Sequence, residues 1–399
     1  MSTTTNTSPD DLRAAMVARI LAEQDLAPDV EAALREVERH RFVPNATVRD
    51  AYDEIAVITH TFPDGTHLSC ASGPKIVAGM LDALQVEPGH KILEIGAGTG
   101  YNAALLATLA GPSGSVVTID INESVTADAR RHLDDTGFDN VTVLAGDGAQ
   151  GDAAHGPYDR IIVTVGAWDL PRAWWDQLRP SGRLVVPLRW RGTTRAVALV
   201  KGGDRWECDW VFLCGFVPML GQDGELSAPI DPDGHVNVYY DIDQTVDAEA
   251  LRPALTTDKI TEWTDVTVHG QEPFDRVWLR LTASDASTVR IQADEHAISS
   301  GLCTPAIGSR TPALVEGGSL AYFAVQRLDT TPPRWKTGAI GHGPDAARLV
   351  ARLIRQIEAW GNARIADPEI IVYPSARSAP DQTHAMVIRK IGSTLVIRY

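Results

Sequence analysis

From Lys91 to Ala107 the chain reads KILEIGAGTGYNAALLA, and this stretch restricts its fold most tightly. Ile92, Leu93 and Ile95 make an apolar run of the length of a buried strand. Gly96, Gly98 and Gly100 follow at alternate positions, where a main chain without side chains can turn sharply and approach a ligand closely. Leu105, Leu106 and Leu109 then recur at helical spacing. Strand, glycine turn and amphipathic helix, in that order, open a doubly wound α/β sheet of the Rossmann-like kind.

Two acids refine this reading. Glu94 stands two residues before the first glycine, and Asp120 ends the next apolar run, Val116-Val117-Thr118-Ile119. A carboxylate after the second strand suits the paired hydroxyls of a ribose. One just before the glycine turn would repel a pyrophosphate and favours a cationic ligand. S-adenosylmethionine, with a sulfonium, an ammonium and a ribose but no phosphate, meets both conditions better than a dinucleotide. The plainer alternative is a glycine corner with incidental acids.

A chain of 399 residues exceeds one ordinary core, so two domains are expected. With 36 basic against 52 acidic residues the net charge is -16, and no basic run offsets it, which argues against a nucleic-acid substrate. Cys70, Cys208, Cys214 and Cys303 show no CxxC spacing, and the histidines form no HxxxH pair, so neither a disulfide framework nor a metal is expected. The start, MSTTTNTSPDD, lacks a signal-peptide core, and no apolar stretch is long enough to cross a membrane. Residues 1–11 are expected to be a disordered tail, and the location cytoplasmic.

Between residues 11 and 40, Leu12, Met16, Ile20, Val30, Leu34 and Val37 predict one or two helices. A long polar and aromatic loop to about Ser72 and a helix over Ile76–Leu84 come next. Strands are predicted at Lys91–Ile95, Ser115–Ile119, Val141–Ala145, Arg160–Thr164 and Arg183–Leu188, alternating with helices and therefore parallel. Arg195–Val200 and Trp206–Cys214 suit an antiparallel edge. Residues 218–235, rich in Pro, Gly and Asp, read as a linker between a first domain at 12–217 and a C-terminal α+β domain at 236–399. In the latter, Phe274–Leu281 and Ser319–Gln326 read as strands, Asp345–Trp360 as a helix, and Met386–Ile391 with Thr394–Tyr399 as a hairpin.

Several segments, in order, resemble signatures of the protein-L-isoaspartate O-methyltransferases. They are Arg41-Phe42-Val43-Pro44, Ala51-Tyr52-Asp53, Ser72-Gly73-Pro74-Lys75-Ile76-Val77-Ala78 and the glycine turn from Leu93 to Tyr101. Gly146-Asp147-Gly148, Pro157-Tyr158-Asp159 with Ile161-Ile162-Val163-Thr164, Gln177 to Pro187, and Phe216-Val217-Pro218 follow. The resemblance covers roughly residues 12–222. It implies a class I methyltransferase fold, S-adenosylmethionine as donor, and an aspartyl or isoaspartyl carboxylate as acceptor.

By position, it implies that Glu94, Gly96, Gly98 and Gly100 hold the methionine end of the donor, with Ser69 beside them. Asp120 and Ile121 would bind the ribose side, and Asp147-Gly148 would border the adenine. Ser72 would act at the acceptor carboxylate, with Thr164, Val165 and Trp168 lining the acceptor pocket. Plainer roles are a helix N-cap for Ser72, turn-forming for Asp147 and Asp159, a salt bridge for Arg41, and packing under a loop for Trp168. A carboxylate is already ionised at neutral pH, so no general base is required.

Three features depart from the family pattern: the long stretch from Thr59 to Ala71, Val165-Gly166-Ala167-Trp168 after the fourth strand, and the extra C-terminal domain. They resemble the homologues that tailor ribosomally synthesised peptides, such as lanthipeptides and ATP-grasp-crosslinked peptides. There, methylation of an Asp leads through a succinimide (aspartimide) to isoaspartate. The expected partner is therefore a peptide carrying Asp or isoAsp, linear or macrocyclised, recognised by the C-terminal domain. The alternatives are general repair of isoaspartate and a non-catalytic donor-binding protein.

Overall fold

The structure, a computed structural model, describes residues 7–270, 272–374 and 385–399. It divides into two units: residues 1–188 with 194–222, and residues 189–193 with 223–399.

The first unit opens with helices α1 (Pro9–Leu21) and α2 (Pro28–Glu36). The expected tail ends sooner than residue 11. Ser8 accepts from the Asp11 N–H, and the Asp11 carboxylate accepts from the Ser8 N–H in return. This reciprocal cap, followed by proline at the first helical position, nucleates α1.

After the short α3 (Val48–Ala51), the expected loop contains an antiparallel hairpin, β1 (Val57–Thr61) and β2 (His67–Ala71). Its turn is Pro63-Asp64-Gly65, with Gly65 at φ +85° and Asp64 accepting from the Thr66 N–H. That proline-aspartate-glycine triplet is the turn signal the polar composition masked.

Helix α4 (Pro74–Leu84) leads into the main sheet. Its strands are β3 (Lys91–Ile95), β4 (Ser115–Asp120), β5 (Val141–Ala145), β6 (Tyr158–Val163), β7 (Leu178–Trp190), β8 (Thr193–Gly202) and β9 (Arg205–Leu213). Helices α5 (Tyr101–Ala110), α6 (Glu123–Thr136) and α7 (Arg172–Gln177) lie between them in sequence. The spatial order is β9-β8-β7-β6-β3-β4-β5. β3 pairs in parallel with β4 and β6, so Ile92, Leu93 and Ile95 are buried. β8 and β9 form the expected antiparallel pair. Parallel pairing brings Ile95, Asp120, Ala145 and Val163 to one edge of the sheet, the carboxyl edge where such folds bind ligands.

The second unit begins in the expected linker, where β10 (Glu225–Pro229) pairs antiparallel with β11 (Val236–Asp241). After α8 (Ala248–Leu251) and β12 (Ile260–His269) comes the one reversed element. Phe274–Leu281 was expected as a strand, but helix α9 (Asp275–Ser284) occupies it. Val277, Leu279 and Leu281 alternate as in a strand. Yet Phe274, Val277, Trp278 and Leu281 also fit one helical face, and the tertiary core selects that face.

β13 (Thr288–Ala293), α10 (Glu295–Ser299), β14 (Thr311–Glu316), β15 (Ser319–Leu328), β16 (Arg334–His342) and α11 (Ala346–Asn362) follow. The sheet order is β10-β11-β13-β14-β15-β16-β12. α11 buries Leu349, Leu353, Ile357 and Trp360 in a cluster with Leu314, Ala321 and Phe323. β17 (Glu369–Pro374), β18 (Met386–Arg389) and β19 (Ser393–Arg398) close the chain, the last two as the expected hairpin. Among the described residues no helix is long and apolar enough to cross a membrane.

Candidate active site

Two cavities open at the carboxyl edge of the first unit's sheet. The larger, of about 300 Å³, is walled by Ile95, Ile119, Asp120, Ile121, Asp147 and Gly148 on the sheet side. Phe62, Thr66 and His67 of the hairpin and Val217 to Leu220 complete it. The smaller, of about 60 Å³, is lined by Ser69 to Ser72, Gly96 to Thr99, Tyr101, Asn102, Thr164 and Phe216. Leu68, Gly96, Asp120, Val165 and Val217 border both, so the two meet at the glycine turn.

The turn is built by hydrogen bonds that leave the ligand side open. Gly96 and Ala97 donate to the Ile119 carbonyl at 2.7 and 3.1 Å, which ties the turn to the end of β4. The Thr164 hydroxyl donates to the carbonyls of Gly96 and Ile95 at 2.7 and 3.1 Å. Gly96 has φ +101°, and a Cβ there would lie 2.5 Å from the Thr164 Oγ1. Gly100 acts differently. It caps α5 and faces Ala129 and Leu133 of α6, so its missing side chain serves helix packing and borders neither cavity.

Asp120 ends β4 and borders both cavities. Its Oδ2 accepts from the Gly98 N–H and its Oδ1 from the Asn122 N–H, both at 3.2 Å. Burial raises its pKa from the ordinary carboxylate range, and those backbone donors act against the rise. Asp147 serves two purposes, accepting from the Ala149 N–H at 2.9 Å while lining the larger cavity. Gly148 is pressed against Ile95, and its carbonyl accepts from the buried Trp174 indole at 2.9 Å.

Glu94 and Trp168 lie outside the walls of both cavities. Glu94 is fully buried behind the turn, its carboxylate accepting from Thr118 Oγ1 at 2.6 Å and Asn102 Nδ2 at 2.8 Å, and it borders neither cavity. Burial raises its pKa to about 7, against the pull of those two donors. Its link to the site is Asn102, which it orients at the cavity wall. Trp168 is buried and lines neither cavity, because its main chain is turned into the fold, donating from its N–H to Gln222.

Ser72 lines the smaller cavity, and the cap of α4 falls on Gly73 with no side-chain bond, so the capping role is not taken. The Cys70 thiol interacts with Ser72 and is raised in pKa by burial, which keeps it a neutral thiol at the wall of the smaller cavity. Asp159 and Arg41 are structural: Asp159 accepts from Lys91 N–H and pairs with Arg179, and Arg41 pairs with Glu38.

Residues 216–220 are functional neighbours that periodicity did not assign. Gly166 N–H donates to the Val217 carbonyl at 2.7 Å and Met219 N–H to the Gly166 carbonyl at 3.0 Å, drawing this segment to the end of β6. The Phe216-Val217-Pro218 motif was their signal.

Residues 13–224, more than half of the chain, match the family model Protein-L-isoaspartate(D-aspartate) O-methyltransferase. The chain belongs to that family. A protein-L-isoaspartate O-methyltransferase of Archaeoglobus fulgidus is 38% identical over 225 residues, 56% of this chain and 99% of the relative. One of Methanopyrus kandleri is 39% identical over 200 residues, 49% and 84% of the two chains. The family assignment makes the protein a methyltransferase with S-adenosylmethionine as its donor.

A solved chain described as a protein-L-isoaspartate O-methyltransferase matches in fold with TM-score 0.51 at 19% identity, covering 90% of this chain and 96% of its own. Coverage that wide runs through most of the second unit. The likeness is one of fold and extends beyond the first unit.

The residues present fit the donor. A cavity of about 300 Å³ is in the range of small-ligand pockets, and it offers apolar walls for a base with the half-buried Asp120 carboxylate for hydroxyls.

Proposed function

We propose that this enzyme esterifies the free carboxylate of isoaspartyl residues in peptides and proteins. One observation carries the reading: the Ser72 cavity and the Asp120 cavity meet at Gly96 and Val165, so an acceptor in the first faces a donor in the second.

In the assignment, Asp120 accepts the ribose hydroxyls, Ile121 and Gly148 flank the base, and the turn at Gly96–Gly98 lies along the methionine end. The donor supplies an activated methyl on sulfur. The chain's own residues position and desolvate the acceptor. Ser72 donates its hydroxyl to one carboxylate oxygen and thereby orients the other. Val165 and Phe216 exclude water from the line of attack. A carboxylate oxygen forms the new bond to the methyl carbon as the carbon–sulfur bond breaks, and its electron pair leaves with the thioether. No proton moves, which accords with a cavity holding Ser, Cys, Thr and Tyr hydroxyls and thiols but no histidine or lysine.

The test is mass spectrometry of a short linear isoaspartyl peptide and its normal-aspartyl counterpart after incubation with enzyme and donor. A gain of one methyl on the isoaspartyl peptide alone is expected. Methylation of neither overturns the reading.

A second reading, tailoring of an Asp in a constrained ribosomal precursor peptide through a succinimide, draws on the hairpin β1–β2, whose Phe62, Thr66 and His67 reach the larger cavity. Methylation, or loss of one water, confined to a macrocyclised peptide supports tailoring; turnover of the linear isoaspartyl peptide supports repair. A location in the cytoplasm and recognition of the peptide by the second unit are part of the same proposal.

A further inference from the structure

Arg39 has no role in the site as described above, yet it is the buried cation nearest its acceptor wall. It lies in the 3₁₀ turn Arg39–Phe42 and is 0% exposed. Its Nε donates to the Ala51 carbonyl at 2.7 Å, and its Nη2 donates to the carbonyls of Ala71 and Ser72 at 3.1 and 2.7 Å. The guanidinium carbon stands 4.9 Å from the centre of the Tyr101 ring, and the remaining nitrogen, Nη1, is buried without a hydrogen-bond partner. Burial lowers its pKa from the ordinary guanidinium value, Tyr101, Cys70 and Tyr52 act the other way, and among the described residues it pairs with no carboxylate. A buried guanidinium held by carbonyls and a ring face, with no carboxylate paired to it among the described residues, is costly, and its positive charge is not neutralised locally.

Ala71, Ser72, Cys70 and Tyr101 are also walls of the smaller cavity. Arg39 therefore does two things at once. It turns two carbonyl oxygens, which would repel an anion, away from the cavity they border. It also places an unneutralised positive charge behind that wall.

We propose that Arg39 is the positioning residue of the acceptor side, holding the Cys70–Ser72 loop open to an anion and favouring the ionised carboxylate over its acid or amide. This rests on the isoaspartyl reading and deepens it: the acceptor is selected for negative charge by a residue that never touches it.

The two parts separate experimentally in the full-length enzyme with a linear isoaspartyl peptide. Arg39→Met removes charge and fork. It is expected to raise KM for the peptide roughly tenfold or more, as for a lost interaction with an ionised group. It should also move the acid limb of the kcat profile upward by about one pH unit or more. S-adenosylhomocysteine affinity, measured by calorimetry, should stay within about threefold, well under the roughly tenfold of a one-pKa-unit interaction, since Ala51, Ala71 and Ser72, whose carbonyls Arg39 holds, do not line the larger cavity.

Arg39→Lys keeps the charge but not the fork. It is expected to lower kcat while leaving the acid limb in place, and this decides the matter if Arg39→Met does not fold. A folded Arg39→Met with the wild-type KM and acid limb, an Arg39→Lys with the wild-type kcat, or a loss of donor affinity as large as the loss of kcat/KM overturns the inference. Wild-type enzyme inert toward the peptide overturns the substrate reading and this inference with it. Wild-type turnover with unaltered variants overturns this inference alone.

Discussion

Glu94→Gln tests the placement of the acid before the glycine turn. Glu94 is fully buried, and burial raises its carboxyl from 4.5 in a free chain to about 7 in the fold. Below pH 4.5 both states carry the proton. As pH rises from 4.5 to about 7 the unfolded chain loses it first, so the folded state binds more protons and stability falls. At pH 8 the accumulated cost is about 3 kcal/mol, at 1.36 kcal/mol for each tenfold change in proton affinity.

Glutamine keeps the shape and a carbonyl to accept from Asn102, but it has no proton to lose. Urea unfolding of wild type and variant at pH 5 and pH 8 checks this. The variant should gain about 2.5 kcal/mol on the wild type between those values, since part of the cost is already present at pH 5, or roughly 5–10 °C in melting temperature for a domain of this size. Because both carboxylate oxygens face Thr118 and Asn102, adenosylhomocysteine affinity should change by less than about threefold. A stability difference independent of pH refutes the burial argument. A tenfold or larger loss of donor affinity refutes the placement and restores Glu94 as a direct ligand.

Asp120→Ala should weaken adenosylhomocysteine binding by about 1–3 kcal/mol in calorimetry, since ribose hydroxyls and the Gly98 N–H both lose their acceptor. Gly148→Ala places a Cβ 2.4 Å from the Ile95 Cγ2 at the floor of the larger cavity. It should cost about 1–3 kcal/mol of stability in thermal or urea unfolding. Thr164→Val removes the hydroxyl that ties Gly96 and Ile95, and kcat/KM should fall about tenfold with a stability loss of about 1 kcal/mol, read from steady-state kinetics and melting. Trp168→Phe, a change in a side chain that borders neither cavity, should leave peptide KM within about threefold.

Local periodicity and turn chemistry were enough for the sheet of the first unit. Ile92, Leu93 and Ile95 put apolar side chains on both faces of one strand, and a central parallel strand between helices buries both. Asp120 was legible for the same reason, because a residue ending a parallel strand must emerge at the carboxyl edge. Glu94 was not. Whether a side chain at a strand's end points to the ligand or back into the core depends on partners distant in sequence, here Thr118 on β4 and Asn102 on α5.

α9 was misread because one set of apolar residues satisfied two periods, and only the neighbouring core chose between them. The hairpin carried a readable turn at Pro63-Asp64-Gly65, but its reach to the cavity wall was set by the fold around it. Arg39 was invisible as a functional residue, since its meaning lies in three carbonyls at 12, 32 and 33 residues' separation. Spacing along the chain thus determined which strands form and where they end. Long-range contacts alone decided where each polar group turns, because a buried charge or carbonyl settles on whatever partner the closed fold brings within reach.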